Sequence, residues 1–282
     1  MVMPVTVREL LGSAKQRLLG ARFEAPRREA NLLLAHALDC SEVRLLAHDE
    51  LEVDDNAAAA FDDLIYRRLK GEPVAYLTGQ REFFGRSFAV DSRVLVPRPE
   101  TEHLITAVLA LDLPRHPWIL DLGTGSGCIA VTLALEVPDA QVLACDLSLG
   151  ALEVAGRNAV ALMGRPMKRF CGDWLASVEP RRLDLVVANP PYIATADATE
   201  VSSEVTDFEP HLALFGGEDG LDAYHDLCES LQGLRPGTRV VSEIGLGQAE
   251  AVVSIARQHG FVHHRTVDDY AGIPRVVVVN RG

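Results

Sequence analysis

The sequence predicts an α/β fold: a mostly parallel seven-stranded sheet with helices on both faces and an antiparallel last strand, behind a small N-terminal helical bundle and a β-hairpin. Three observations predict it. From Trp118 onward, short apolar runs alternate with helix-spaced patterns, as expected of strands buried on both faces and joined by helical crossovers. Residues 1–71 carry only helical spacing. At 282 residues the chain exceeds the usual size of a single core, which favours two domains.

The first helix is announced by Thr6-Val7-Arg8-Glu9, a capping-box pattern, ahead of apolar Val7, Leu10, Leu11, Ala14 and Leu18. A second begins near Pro26, with Ala30, Leu33, Leu34, Ala37 and Leu38 on one face. A third carries Ala57, Ala60, Phe61, Leu64, Ile65 and Leu69 and ends before Gly71. Residues 72–98 read as a hairpin linker, with Glu82-Phe83-Phe84 and Ser87-Phe88-Ala89-Val90 on either side of Gly85-Arg86. Residues 99–282 form the second domain. It opens with a helix-spaced segment, Glu100 to Leu111, after Pro97 and Pro99. Its strands are Trp118-Asp121, Gln141-Asp146, Met167-Cys171, Leu183-Ala188, Arg239-Glu243, Phe261-Val267 and Arg275-Asn280. No helix-sized pattern separates the last two, so the final strand folds back antiparallel.

Hydrophobic residues at 48%, charged residues at 24% and a mean hydropathy of +0.10 describe a soluble globular chain, not a disordered one. The formal net charge of −13 counts against a nucleic-acid partner, which a local basic patch would have to hold in a repulsive field. Five scattered cysteines lack zinc-ligand spacing, and His263-His264 lies in a strand where neighbours face opposite ways, so no metal site is expected. No stretch approaches about 18 uninterrupted apolar residues, and the N-terminus lacks a secretory pattern, which leaves a cytoplasmic address.

Chemistry concentrates at the ends of successive strands. Asp121-Leu-Gly123-Thr124-Gly125-Ser126-Gly127 stands where the first strand hands over to a helix, so its glycines let backbone approach a nucleotide-type ligand. The spacing differs from the dinucleotide fingerprint. Asp121 would repel a pyrophosphate and suit an ammonium group, such as that of S-adenosyl-L-methionine. Asp146 ends the second strand, where a carboxylate either accepts from both hydroxyls of a ribose or caps the helix that follows. Gly172-Asp173-Trp174, after the third strand, offers a carboxylate and an aromatic face for an adenine, or else is a surface turn.

Asn189-Pro190-Pro191-Tyr192 closes the fourth strand. Pro190 forces Asn189 to be extended, and the two prolines remove two N–H donors, so the stretch presents mainly acceptors. The Asn189 side-chain oxygen and the Pro190 carbonyl can each take one N–H of an NH2 group, turning its lone pair out of conjugation toward an electrophile. Tyr192 can stack on the planar group. A sulfonium methyl is such an electrophile and needs no nucleophilic side chain, only alignment. The acceptor nitrogen is then an amide or a nucleobase amino group. Glu243, closing the fifth strand, either orders a substrate or caps a helix.

These motifs, with Glu72-Pro-Val-Ala-Tyr-Leu-Thr-Gly79, Glu82-Phe-Phe-Gly85, Val94-Leu-Val-Pro-Arg-Pro-Glu-Thr-Glu102 and Ala213-Leu-Phe-Gly-Gly217, resemble the PrmC (HemK) family of protein-(glutamine-N5) methyltransferases nearly end to end. The Asn-Pro-Pro-Tyr loop alone is shared with DNA and RNA amino-methyltransferases; the Pro97 to Thr101 segment and the helical front domain narrow the match. The resemblance implies a class I, Rossmann-like methyltransferase domain behind a helical domain that helps recognise peptide chain release factors. It implies S-adenosyl-L-methionine on the Gly123–Gly127 loop, Asp146, Trp174 and Asn189, with the GGQ glutamine amide on Asn189 to Tyr192. Two other readings compete: a nucleobase N-methyltransferase, which the acidic charge and the lack of a basic, aromatic-interleaved stretch disfavour, and a non-catalytic cofactor-fold module, which would have a damaged site.

Overall fold

The computed structural model describes residues 5–175 and 179–282; the described residues divide into two compact units, those within Met1–Gln80 together with Ser203–Phe208, and those within Arg81–Ser202 together with Glu209–Gly282. In the first unit, β1 (Val5–Thr6) leads into α1 (Val7–Gly20) through the expected capping box. The Thr6 hydroxyl accepts from the Glu9 amide, and the Glu9 carboxylate accepts from the Thr6 amide. α2 (Pro26–Ala37) starts on its proline. α3 (Glu42–Ala47), capped by Ser41, is too short for its apolar spacing to stand out in the sequence. β2 (Glu52–Val53) pairs with β1, and α4 (Asp55–Leu69) and α5 (Val74–Thr78) complete the bundle. Leu18, Leu33, Leu34 and Ile65 meet in its core with no measurable exposure.

Residues 72–98, expected as hairpin alone, therefore begin with a helical turn. The hairpin itself is β3 (Gln80–Phe83) and β4 (Arg86–Ala89). Its two turn residues, Phe84 and Gly85, lie at φ 50° and 70°, the left-handed pair that tight hairpins require. Phe83 and Phe88 are buried in the same core as the large sheet, which is why these strands belong to the second unit.

A 3-10 turn at Pro99–Thr101 runs into α6 (Glu102–Leu109). There follow β5 (Trp118–Leu122), α7 (Cys128–Glu136), β6 (Gln141–Asp146), α8 (Leu149–Met163), β7 (Lys168–Cys171) and β8 (Leu185–Ala188). The short α9 (Ser203–Phe208) clusters with the first unit, where the buried Arg68 pairs with both Glu29 and Glu204. Then come α10 (Asp222–Ser230), β9 (Arg239–Glu243), α11 (Ala249–Gln258), β10 (Phe261–Asp268) and β11 (Pro274–Arg281).

The sheet order is β10-β11-β9-β8-β5-β6-β7. β7, β6, β5, β8 and β9 run parallel, and β11 is antiparallel to both neighbours, as the missing crossover required. Period-two alternation divides the strand side chains between two cores. Ile119, Leu185, Val187, Val241 and Val278 join Leu104, Ile105 and Ile129 on one face. Leu120, Leu122, Val186, Val240 and Val277 join Tyr224, Leu227, Val252 and Ile255 on the other. Both faces being covered, the strands read as continuous apolar runs.

Asn158 on α8 ties this layer together. It is 2% exposed, its Oδ1 accepts from the Ala89 amide, and its Nδ2 donates to the carbonyls of Ala89 and Ser126. One side chain thus fixes the hairpin and the glycine turn to the same helix. Asn158→Ala should lower the unfolding free energy by about 2–4 kcal/mol, since it strands buried backbone groups as well as removing bonds. Urea denaturation measures this; a loss below roughly 1 kcal/mol would mean the staple is dispensable.

Candidate functional site

Parallel strands place their carboxyl ends on one edge, and β5, β6, β7 and β8 all deliver polar residues there. The edge opens into a cleft of about 530 Å³ lined by Gly123–Ser126, Asp146, Asp173, Trp174 and Asn189–Pro191, among others. Four strand ends that are far apart in sequence are thus brought to one cavity.

The glycine turn is held from behind. The Thr124 amide donates to the Cys145 carbonyl at 2.9 Å, and the Gly127 amide to the Thr124 carbonyl at 2.8 Å. Gly127 begins α7 at φ 81°, and a Cβ there would lie 3.0 Å from that of Ala155, so both conformation and space demand glycine. Asp146 receives the Gly125 amide on one oxygen and the Ser148 amide on the other. Ser148, not Asp146, caps α8. Burial raises the Asp146 pKa, while those amides favour the charged form.

Asp121, expected beside the ligand, is fully buried and outside the cleft wall. Its Oδ2 accepts from the Thr124 hydroxyl at 2.6 Å and its Oδ1 has no hydrogen-bond partner among the described residues, so it braces the turn from beneath. Burial pushes it up to about 7. Trp174 lines the cleft with its backbone at φ 47°, a left-handed conformation costly for an aromatic residue. Cys128 and Cys145 also line the cleft, and burial pushes both thiols up to about 12, which leaves them neutral.

The Asn189 to Tyr192 loop splits across its own backbone. Asn189, Pro190 and Pro191 line the cleft, but Tyr192 does not: its ring packs against the second core and its hydroxyl donates to Glu243 Oε1 at 3.3 Å. Asn189 Nδ2 donates to Thr101 Oγ1 at 3.3 Å, and its side-chain oxygen has no hydrogen bond among the described residues. The loop carbonyls are gripped tightly. Gln248 Nε2 donates to the Tyr192 carbonyl at 3.0 Å, and Ile193 bridges to Phe215. A Cβ on Gly216 would lie 2.4 Å from the Pro191 carbonyl oxygen, and one on Gly220 would lie 2.3 Å from that of Tyr192. Buried Glu209 accepts from the Val96 amide at 3.0 Å and from Arg98, which lines the cleft, at 2.6 Å. Sequence reasoning gave Thr101, Glu209 and Gln248 no role; the one signal was the Pro97 to Thr101 segment, read through family resemblance alone.

Residues 9–79 match the PrmC N-terminal domain and residues 102–207 the methyltransferase small domain. The chain is 44% identical over 277 residues to the release factor glutamine methyltransferase of Koribacter versatilis, covering 97% of this chain and 98% of that one. The chain belongs to the release factor glutamine methyltransferase family. The Moorella thermoacetica member is 43% identical over 281 residues, covering 98% of this chain and 99% of that one. A solved methyltransferase from Pyrococcus furiosus shares the fold, with a TM-score of 0.53 at 17% identity over 78% of this chain and 99% of that one. Among the described residues no helix is long and apolar enough to cross a membrane, and no group of His, Cys, Asp and Glu is arranged to hold a metal ion.

In this family member Glu243 is 1% exposed, and burial pushes its carboxyl up to about 7 against the Thr101 and Tyr192 hydroxyls, which favour its charged form. A folded pKa above the ordinary 4.5 means that the native state keeps a proton the unfolded chain loses. Stability is therefore full below that value and declines as pH rises toward 7. Glu243→Gln should flatten this decline by on the order of a few kcal/mol between pH 5 and 8. Parallel urea-derived stability curves for the two proteins would rule out a neutral Glu243 in the fold.

Proposed function

We propose that this chain transfers a methyl group from S-adenosyl-L-methionine to the side-chain amide nitrogen (N5) of the glutamine in the GGQ motif of peptide chain release factors, in the cytoplasm. The observation that carries the reading is that one cleft is lined by the glycine turn, Asp146, Trp174 and Asn189–Pro191 together. The residues fit such a cofactor. Asp146 sits at the strand end suited to ribose hydroxyls, Trp174 offers an indole face for an adenine, and Asp173 adds a carboxylate beside it. When bound, the cofactor supplies an already activated sulfonium methyl.

Charge supports a cationic ligand over a polyanion. Arg93 and Arg98 at the cleft are paired with Asp91, Glu153 and Glu209. Asp173, Asp222 and Asp226 line the cleft with no ion pair among the described residues. A nucleic-acid strand would meet that field unfavourably, whereas a sulfonium and an ammonium group would not.

The chain's own part is to bind and orient. Asn189 Oδ1 and the Pro190 carbonyl accept the two N–H groups of the glutamine amide, which removes its lone pair from conjugation and holds it in line. Pro190 and Pro191 keep the acceptors fixed, since neither can rotate about φ. Tyr192 contributes from behind the loop, through its ring in the core and its bond to Glu243.

Labelled S-adenosylmethionine with a release factor should label the wild-type factor and not one whose GGQ glutamine is replaced. Equal labelling of both, or preferential labelling of nucleic acid, sinks the reading. Asn189→Ala should lower kcat by on the order of 10²-fold or more while calorimetric affinity for S-adenosylhomocysteine is only modestly reduced, because the grip on the transition state is lost and the glycine turn is not. Trp174→Ala should do the reverse, weakening product binding roughly 10-fold with a smaller effect on kcat.

A further inference from the structure

Outside the cleft lining, one side-chain amide joins four segments behind the Asn189 to Tyr192 loop. Gln248, the residue before α11, donates from Nε2 to the Tyr192 carbonyl at 3.0 Å and to the Gly220 carbonyl at 3.3 Å. Its Oε1 accepts from the Gly245 amide at 2.9 Å and from the Tyr224 hydroxyl at 3.4 Å. Resting on the reading of the Pro190 carbonyl as a substrate acceptor, we propose that Gln248 is a positioning residue that aims this carbonyl by pinning the Tyr192 carbonyl behind it.

A glutamine amide offers two N–H donors and one oxygen with two lone pairs, and all four are engaged here. Its orientation is unambiguous, because backbone carbonyls only accept and the Gly245 amide only donates. Planar peptide bonds and prolines of fixed φ leave ψ as the one soft backbone dihedral at Pro190 and at Pro191. The Pro191 carbonyl is already confined, since a Cβ on Gly216 would lie 2.4 Å from its oxygen. Holding the Tyr192 carbonyl restrains the freedom that is left, and with it the direction of the Pro190 carbonyl.

The surroundings are shaped for this side chain. A Cβ on Gly245 would lie 2.6 Å from Gln248 Oε1, and one on Gly220 would lie 2.9 Å from Gln248 Nε2. Gly220, at φ 77°, is also required by its conformation, whereas Gly245 has no positive φ. Only the space taken by the Gln248 amide and by the Tyr192 ring, 3.1 Å away, keeps position 245 bare. Tyr224, 1% exposed, donates as well to the Glu243 carbonyl at 3.1 Å, which ties the amide to the end of β9. A side chain of equal length without N–H groups would strip the Tyr192 and Gly220 carbonyls of this donor, and a carboxylate would repel them.

The test uses the full chain with a release factor and S-adenosylmethionine. Gln248→Glu, which keeps the length and loses the donors, and Gln248→Ala should each lower kcat on the order of 10-fold. KM for the release factor and calorimetric affinity for S-adenosylhomocysteine should stay within about twofold of wild type, because no residue lining the cleft is altered. Gly245→Ala should cost kcat a similar factor by displacing the amide. Combined with Gln248→Ala, it should be no slower than Gln248→Ala alone, since both break one connection. Full turnover in Gln248→Glu, a loss confined to KM or to product affinity, or additive losses in the double variant would each overturn the proposal. Should Gln248→Ala fail to fold, Gln248→Glu and Gly245→Ala decide by the same split between kcat and KM. Undiminished turnover in Asn189→Ala would instead overturn the underlying reading of the loop.

Discussion

Two adjacent prolines at the end of β8 impose the constraint from which the site's architecture follows. Pro190 and Pro191 have fixed φ and no amide hydrogens, so the loop exposes carbonyl oxygens that it cannot satisfy by pairing with itself. Those oxygens must be met from outside or left for a ligand. The chain does both. Gln248 takes the Tyr192 carbonyl, and the glycines at 216 and 220 bring backbone against the Pro191 and Tyr192 carbonyls at distances no Cβ would tolerate. The Asn189 side chain and the Pro190 carbonyl remain at the cleft wall. Rigidity on one side is thus what makes directed hydrogen bonding available on the other.

The same division of labour recurs at the glycine turn. Asp121 and Tyr192, which looked like ligand contacts in sequence, lie outside the cleft lining and brace residues that form it. Asp121 lies beneath the turn and receives Thr124, while Asp146 at the next strand end receives Gly125. Tyr192 sits behind its loop as Asp121 sits behind its own. In both places a buried polar group with an unsatisfied neighbour, Asp121 Oδ1 or Glu243 Oε2, costs folding free energy. Such costs persist where a site needs a side chain held in one orientation more than it needs stability.

What was legible in the sequence follows from which signals are local. The strands were readable because a sheet covered on both faces demands continuous apolar runs, and the antiparallel last strand because no crossover fits before it. The capping box at Thr6 and the loop at Asn189 are local patterns whose physics does not depend on distant residues. α3 escaped because six residues give too little period to detect, and the helical turn at Val74–Thr78 because it lies within a β-like stretch. Thr101, Glu209 and Gln248 escaped for another reason. Each acts on a partner at least 50 residues away along the chain, Asn189, Val96 and Tyr192 respectively, and no single-sequence pattern encodes such pairs.

The choice between amide and nucleobase turns on features outside the tetrapeptide. An Asn-Pro-Pro-Tyr loop grips any planar NH2, so its chemistry is indifferent to what carries the nitrogen. A base would arrive attached to phosphates and would need unpaired cations near the cleft to offset their charge. Here the arginines at the cleft already have carboxylate partners, whereas Asp173, Asp222 and Asp226, which line it, have no ion pair among the described residues. A glutamine on a protein loop brings no such charge, and a methyl donor with a sulfonium and an ammonium group gains from the acidic lining. An acidic lining that would repel a polyanion would equally suit a sulfonium donor, so one set of aspartates bears on both choices.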